Sequence, residues 1–144
     1  MRIFLDANIL FSGGIPGSLL SQFLHELRHH AVFLTNIYAK TEAERNLSAK
    51  FPKGLVGFHK IVSLTEILPL TLFELTVVIA EKDRPILCGA ISAKADFLLT
   101  GDKKDFGLFF GQTIDGVKVV TVELLIRELV SSGILSNEKA GWHS

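Results

Sequence analysis

Short apolar runs alternate along this chain with longer segments of helical periodicity, and that alternation leaves few folds open. The runs are Arg2 to Leu5, Val32 to Thr35, Phe97 to Thr100 and Val117 to Val120. Between them, Leu19, Leu20, Phe23, Leu24 and Leu27 recur at helical spacing, and Asn36 stands where it can cap a helix carrying Ala39, Ala43 and Leu47. Asp83 is placed to cap a further helix through Ile86, Leu87, Ala90 and Ile91, and Val122 to Leu129 reads as a closing one. Strands that alternate with helices pair in parallel, joined by right-handed crossovers that lay helices on both faces. The expected architecture is therefore a three-layer α/β/α sandwich around a central parallel sheet, one domain over residues 1–144. A hydrophobic fraction of 48% suits a sheet covered on both sides. Ser12 to Gly17 reads as a loop, Phe51 to Pro69 is ambiguous, and Leu72 to Ala80 fits either a helix or a buried strand.

Fifteen Lys and Arg balance fifteen Asp and Glu. No global field draws this protein to a polyanion, so nucleic-acid binding has to use a local basic patch, and net charge does not oppose self-association. A single cysteine, Cys88, excludes an internal disulfide framework. The opening MRIFLDAN places an Asp where a secretion signal needs an unbroken apolar core, and no apolar run is long enough to span a bilayer. The cytoplasm is the expected location, with no membrane association.

The acids carry the chemical information. Asp6 closes the first apolar run, Asp83 opens the helix before the third, and Asp102 and Asp105 follow that third run in LLTGDKKDF. Each has an ordinary use as a turn, cap or loop residue. In one parallel sheet, however, the carboxyl ends of neighbouring strands share an edge, and ligands bind there. Carboxylates gathered at that edge supply hard oxygen donors for a divalent cation.

Three motifs occur in order: I-F-L-D-A-N-I-L, then D-R-P-I-L-C-G-A-I, then A-K-A-D-F-L-L-T-G-D-K-K-D-F, with V-K-V-V-T-V-E-L-L at the end. Together they resemble the PIN-domain family of metal-dependent ribonucleases, which includes VapC-type toxins. The resemblance covers the chain and is weakest from Phe51 to Ala80. It implies that Asp6, Glu42, Asp83 and Asp102 are the catalytic acids, that Asp6, Asp83, Asp102 and Asp105 hold Mg²⁺ or Mn²⁺, and that Asn8 and Thr100 support them. The helix acid has two candidates. Glu42 matches the family pattern through Ala43 and Leu47, whereas an apolar stripe of Ile37, Ala43, Leu47 and Phe51 brings Glu44 nearer the buried side. The implied reaction is hydrolysis of an RNA phosphodiester by metal-activated water, leaving a 5′-phosphate and a 3′-hydroxyl. The implied partners are RNA, an antitoxin protein and a second copy of the chain.

Arg84, Lys103 and Lys104 adjoin the acids and are candidates for holding RNA phosphates. Other features have plainer readings. His25 and His29 have zinc-ligand spacing but no further ligand, so a solvated helix face is preferred. Cys88 lies in an apolar helical pattern and reads as core. Gly13, Gly14 and Gly101 read as turn glycines rather than a phosphate cradle. Phe106, Phe109 and Phe110 read as packing rather than a base-stacking platform. Two further functions compete with the nuclease: a PIN-like module that binds RNA or assembles without cleaving, and a phosphoryl-accepting receiver. The complete set of acids argues against the first. Ala7, where a receiver needs a second acid beside Asp6, argues against the other.

Overall fold

A computed structural model describes residues 1–136; residues 137–144, part of the expected domain, lie outside the described residues. The elements in order are β1 (Arg2–Leu5), α1 (Ala7–Gly13), α2 (Leu19–Leu27), β2 (Val32–Asn36), α3 (Ile37–Lys50), α4 (Leu55–Ser63), β3 (Thr65–Leu68), α5 (Arg84–Ser92), β4 (Phe97–Leu99), α6 (Lys103–Phe106), β5 (Thr113–Ile114), β6 (Val117–Val120) and α7 (Val122–Ser131). Short 3-10 turns at Pro52–Gly54 and Gly107–Phe109 join α3 to α4 and follow α6.

The strands form one six-stranded sheet in the order β3-β2-β1-β4-β6-β5. Every pairing is parallel except that of β5 with β6. Ile3 stands opposite Phe33 on one side and Phe97 on the other, so β1 lies at the centre. Ile3, Phe4 and Leu5 are completely buried, as are Leu98, Leu99, Val119 and Val120. This is why the runs read as continuously apolar rather than alternating. From β1 the chain winds outward to β2 and β3, then returns to build β4 and β6 on the other side. With right-handed crossovers that reversal lays helices on both faces, and the three-layer sandwich expected from the sequence is the one found.

Four local expectations are corrected. The chain is helical from Ala7 through Gly13, because Asp6 caps that helix with its own side chain. The ambiguous Phe51 to Pro69 resolves into α4 followed by β3, an edge strand beside β2. Leu72 to Ala80 is neither helix nor strand: it is an irregular strap in which Phe73, Leu75, Val77 and Ile79 are half-buried and the residues between them exposed. Its Phe73 carbonyl accepts from Arg84 Nε and Nη2 and from Cys88 Sγ, so partners on α5 satisfy it instead of a neighbouring strand. Finally, the sheet carries an antiparallel edge strand. Asp115 and Gly116, at φ 46 and 89, form the two-residue turn joining β5 to β6.

Two contacts position the site. Asn36, fully buried, accepts from Ala39 N at 3.0 Å and donates to Pro85 O at 3.0 Å, tying the first turn of α3 to that of α5. Gly57 in α4 packs on the end of α1 so closely that a Cβ there would lie 2.1 Å from Gly14 O. Gly57→Ala is therefore expected to destabilise the protein by about 2 kcal/mol or more, strain outweighing the gain in helix propensity. Gly107→Ala, whose Cβ would meet nothing within 4 Å, should be neutral or slightly stabilising. Urea midpoints of both variants check this, and equal midpoints would contradict the close approach of α1 and α4.

Candidate metal centre

The chain leaves β1 and β4 toward opposite ends of the sheet, so the carboxyl edge between them is the switch point where a crevice opens. Asp6 stands there. Its N–H donates to Leu99 O at 3.1 Å, which joins the end of β1 to that of β4. Its Oδ1 accepts from Ala7 N at 2.6 Å, and its Oδ2 accepts from Thr100 Oγ1 at 2.7 Å and from Asn8 Nδ2 at 3.2 Å. Asn8 Oδ1 in turn accepts from Gly101 N, and Thr100 Oγ1 accepts from Asp102 N at 3.1 Å. Asn8 and Thr100 thus brace the loop that carries Asp102. Burial pushes the Asp6 carboxyl up to about 6, against the pull of the bonds from Thr100 and Ala7; the charges of Glu42 and Asp102 push in the same direction as burial.

Asp83 holds the N-cap position of α5 but makes no capping hydrogen bond, since its backbone is already helical at φ −99 and ψ −12. Capping, the plainer reading, is not what this side chain does. It is 8% exposed, and its Oδ2 is buried without a hydrogen-bond donor. Oxygens of Asp83, Asp102 and Asp105 lie within 4.8 Å of one another. Asp102 caps α6 by accepting from Asp105 N at 3.0 Å, which fixes the two acids relative to each other. Asp105 Oδ2 takes an ion pair from Lys82 Nζ at 3.0 Å. The consequences are opposite for neighbouring groups. Lys82 beside it lowers the pKa of Asp105, while burial raises that of Asp83 to about 7, helped by a proton it can share with Asp105 and by the charge there.

Asp6, Asp83 and Asp102 open onto one cleft of about 260 Å³, with Asn8 from α1 and Glu42, Asn46 and Lys50 from α3. Of the two candidate helix acids, Glu42 lines this cleft and Glu44 does not. Ile37 is 45% exposed, and the buried stripe of α3 is Ala39, Ala43 and Leu47, so the stripe that favoured Glu44 does not include its first residue. Asp6 stands outside the tight trio, with both of its oxygens engaged by donors. The cleft also contains Lys82, Asn46 and Lys50, which sequence reasoning missed. The last two were legible as a stripe four and eight residues beyond Glu42.

The remaining candidates fall elsewhere. Arg84 is bound to Phe73 O and pairs with Glu81 at 3.8 Å, which makes it a fastener for the strap. Lys103 and Lys104 are exposed on α6, and Lys103 faces a different groove with Leu19 and Phe23. His29 lies beyond the end of α2, so helical spacing from His25 does not hold. Cys88 and Phe106 are buried, and Phe109 and Phe110 pack on the core. Gly13 is buried against Leu24, and Gly101 N is occupied by Asn8.

The donors fit a hard divalent cation. Every potential ligand is a carboxylate oxygen, the buried Oδ2 atoms of Asp83 and Asp105 accept no hydrogen bond, and a cation would offset the burial and neighbouring charge that raise the pKa of Asp83. No protein-family model matches the chain, and no curated protein matches it by sequence. The fold is nonetheless found in solved structures. A chain in the crystal structure of VapBC2 from Rickettsia felis, bound to a DNA fragment from their promoter, aligns with a TM-score of 0.63 and 18% identity over 84% of this chain and 98% of that one. A chain in the structure of FitAB bound to an IR36 DNA fragment aligns with a TM-score of 0.56 and 17% identity, covering 83% and 94%. Among the described residues no helix is long and apolar enough to cross a membrane.

These pKa values set a pH dependence. Asp6 and Asp83 keep protons in the folded state that the unfolded chain releases near pH 4, so metal-free stability is present below that pH and is lost as pH rises through about 6 to 7. For Asp6 the rise from 3.8 to about 6 corresponds to roughly 2–3 kcal/mol at full effect. In EDTA, Asp6→Asn should therefore exceed the wild type in stability at pH 7.5 and lose most of that advantage at pH 4.5. Urea titrations at the two pH values check this, and an unchanged difference would contradict the burial of an ionisable Asp6.

Proposed function

We propose that this protein is a divalent-metal-dependent endoribonuclease of the PIN type, acting in the cytoplasm as the toxin of a toxin–antitoxin pair. The observation that supports it most is the convergence of Asp6, Glu42, Asp83 and Asp102 on one cleft at the switch point of this sheet. The shared fold with chains of the VapBC2 and FitAB complexes agrees with that reading. A partner protein that covers the cleft would supply the inhibition such a pair needs. Pairing with a second copy of the chain is part of the same proposal.

Asp83, Asp102 and Asp105 are the residues that would hold Mg²⁺ or Mn²⁺, with Asp6 and its braces Asn8 and Thr100 fixing the floor beneath them. A cation bound there would acidify water and neutralise charge on a phosphoryl oxygen. Glu42, which lines the same cleft from α3, takes the proton from the attacking water. Asp102, fixed by its bond to Asp105 N, also lines the cleft. No cysteine or serine nucleophile is required, in keeping with the burial of Cys88.

In Mn²⁺ with a single-stranded RNA substrate, Asp102→Asn should abolish cleavage while the protein stays folded. Glu42→Gln should lower the rate by about 10²- to 10⁴-fold, the usual scale for a lost proton acceptor, and Glu44→Gln should have little effect. Wild-type cleavage by Asp102→Asn would refute the acidic site, and a larger loss in Glu44→Gln would move the proton acceptor to that residue. RNA binding without any cleavage by the wild type would instead favour the non-catalytic module.

A further inference from the structure

The cleft does not end at the acids. Glu42, Asn46 and Lys50 occupy one face of α3 and all line it. At 1.5 Å per residue Lys50 lies roughly 12 Å beyond Glu42, too far to touch a phosphate held over the acids. From Arg45 to Thr65 the chain carries Arg45, Lys50, Lys53 and Lys60 and no Asp or Glu, within a protein whose acidic and basic residues number 15 each. All four are exposed, and none forms an ion pair among the described residues. Lys82, Arg84, Lys118 and Arg127 are by contrast each matched to an acid.

This basic stretch has a defined position. Lys53 lies in the turn between α3 and α4, and the close approach of Gly57 to Gly14 fixes α4 against the end of α1. Phe11 and Ser12, just before that contact, line the same cleft as Lys50. The cleft thus runs from carboxylates at the strand ends to the unpaired ammonium of Lys50 at the end of α3, with Lys53 in the turn just beyond. That gradient suits a polyanion lying along it, with one phosphate over the acids and a neighbouring one at the lysines.

We propose that Lys50 and Lys53 anchor a flanking phosphate of a single-stranded RNA whose reacting phosphate lies over Asp83 and Asp102. The proposal rests on the ribonuclease reading and deepens it by giving the strand a direction across the molecule. An ordinary role for Lys50 also exists, since a cation in the last turn complements the dipole of α3. That role affects stability but leaves the salt dependence of RNA binding unchanged.

The test uses the full chain and a fluorescein-labelled single-stranded RNA. Affinity is read by anisotropy in EDTA across a salt series, and cleavage kinetics are read in Mn²⁺. Lys50→Gln/Lys53→Gln should weaken binding about tenfold at low salt and reduce the salt slope by about 0.7, the value for one lost phosphate contact. It should raise KM with kcat nearly unchanged. Lys50→Arg/Lys53→Arg should restore both, and Lys94→Gln, just before the amino end of β4, should match the wild type. If the wild type cleaves RNA and the Lys→Gln pair leaves slope and KM unchanged, the anchor is refuted while the nuclease reading stands. A wild type that neither binds nor cleaves RNA overturns both. Binding of anionic phosphatidylserine vesicles that depends on these lysines, with RNA binding unaffected, assigns the patch to a membrane and refutes the proposal.

Discussion

A carboxylate buried where the two halves of a parallel sheet part is the constraint on which this site depends. Asp6 is 5% exposed, yet it sits among groups that can hold it only in one orientation. Ala7 N and Thr100 Oγ1 occupy its two oxygens, while its own amide reaches Leu99. Thr100 then sets Asp102 through a backbone N–H, and Asp102 sets Asp105 in the same way. The acids are therefore linked in series from β1 outward. Displacing any one of them breaks a hydrogen bond to the next.

The charges at this edge are divided unequally. Asp105 has Lys82 and stays ionised, whereas Asp83, without a donor for its buried oxygen, favours a proton near neutrality. A metal-free cleft thus stores electrostatic repulsion, partly relieved by protons and partly by an ammonium whose side chain is 65% exposed. An exposed ion pair of this kind contributes little stability. Crowded carboxylates with unpaired buried oxygens cost local stability, a common trade at functional sites.

The four inner strands β1, β2, β4 and β6 were legible because each is a short apolar run, and α2, α3, α5 and α7 because each carries an apolar stripe. Asp6 and Asp102 could be placed because a residue that ends such a run lies at the sheet edge whatever the rest of the chain does. The strap from Leu72 to Ala80 was not legible. Its period-two burial is that of a strand, but its carbonyl at Phe73 bonds side chains of α5, a tertiary choice that no local pattern encodes. Asp83 misled for the opposite reason: its position is that of a cap, and only the helical backbone already present there shows that its side chain points elsewhere. The turn at Asp115-Gly116 was a readable hairpin signal that went unused. The choice between Glu42 and Glu44 required the packing of α3, which buries Ala39 and leaves Ile37 exposed.

The most direct measurement is an NMR titration of the metal-free protein with substoichiometric Mn²⁺, whose unpaired electrons broaden nearby amide signals. If the acids form the metal site, broadening will centre on the amides of Asp6, Asp83, Asp102 and Asp105 and will disappear in Asp102→Asn. Broadening centred anywhere else, or the same pattern in Asp102→Asn, would contradict the account.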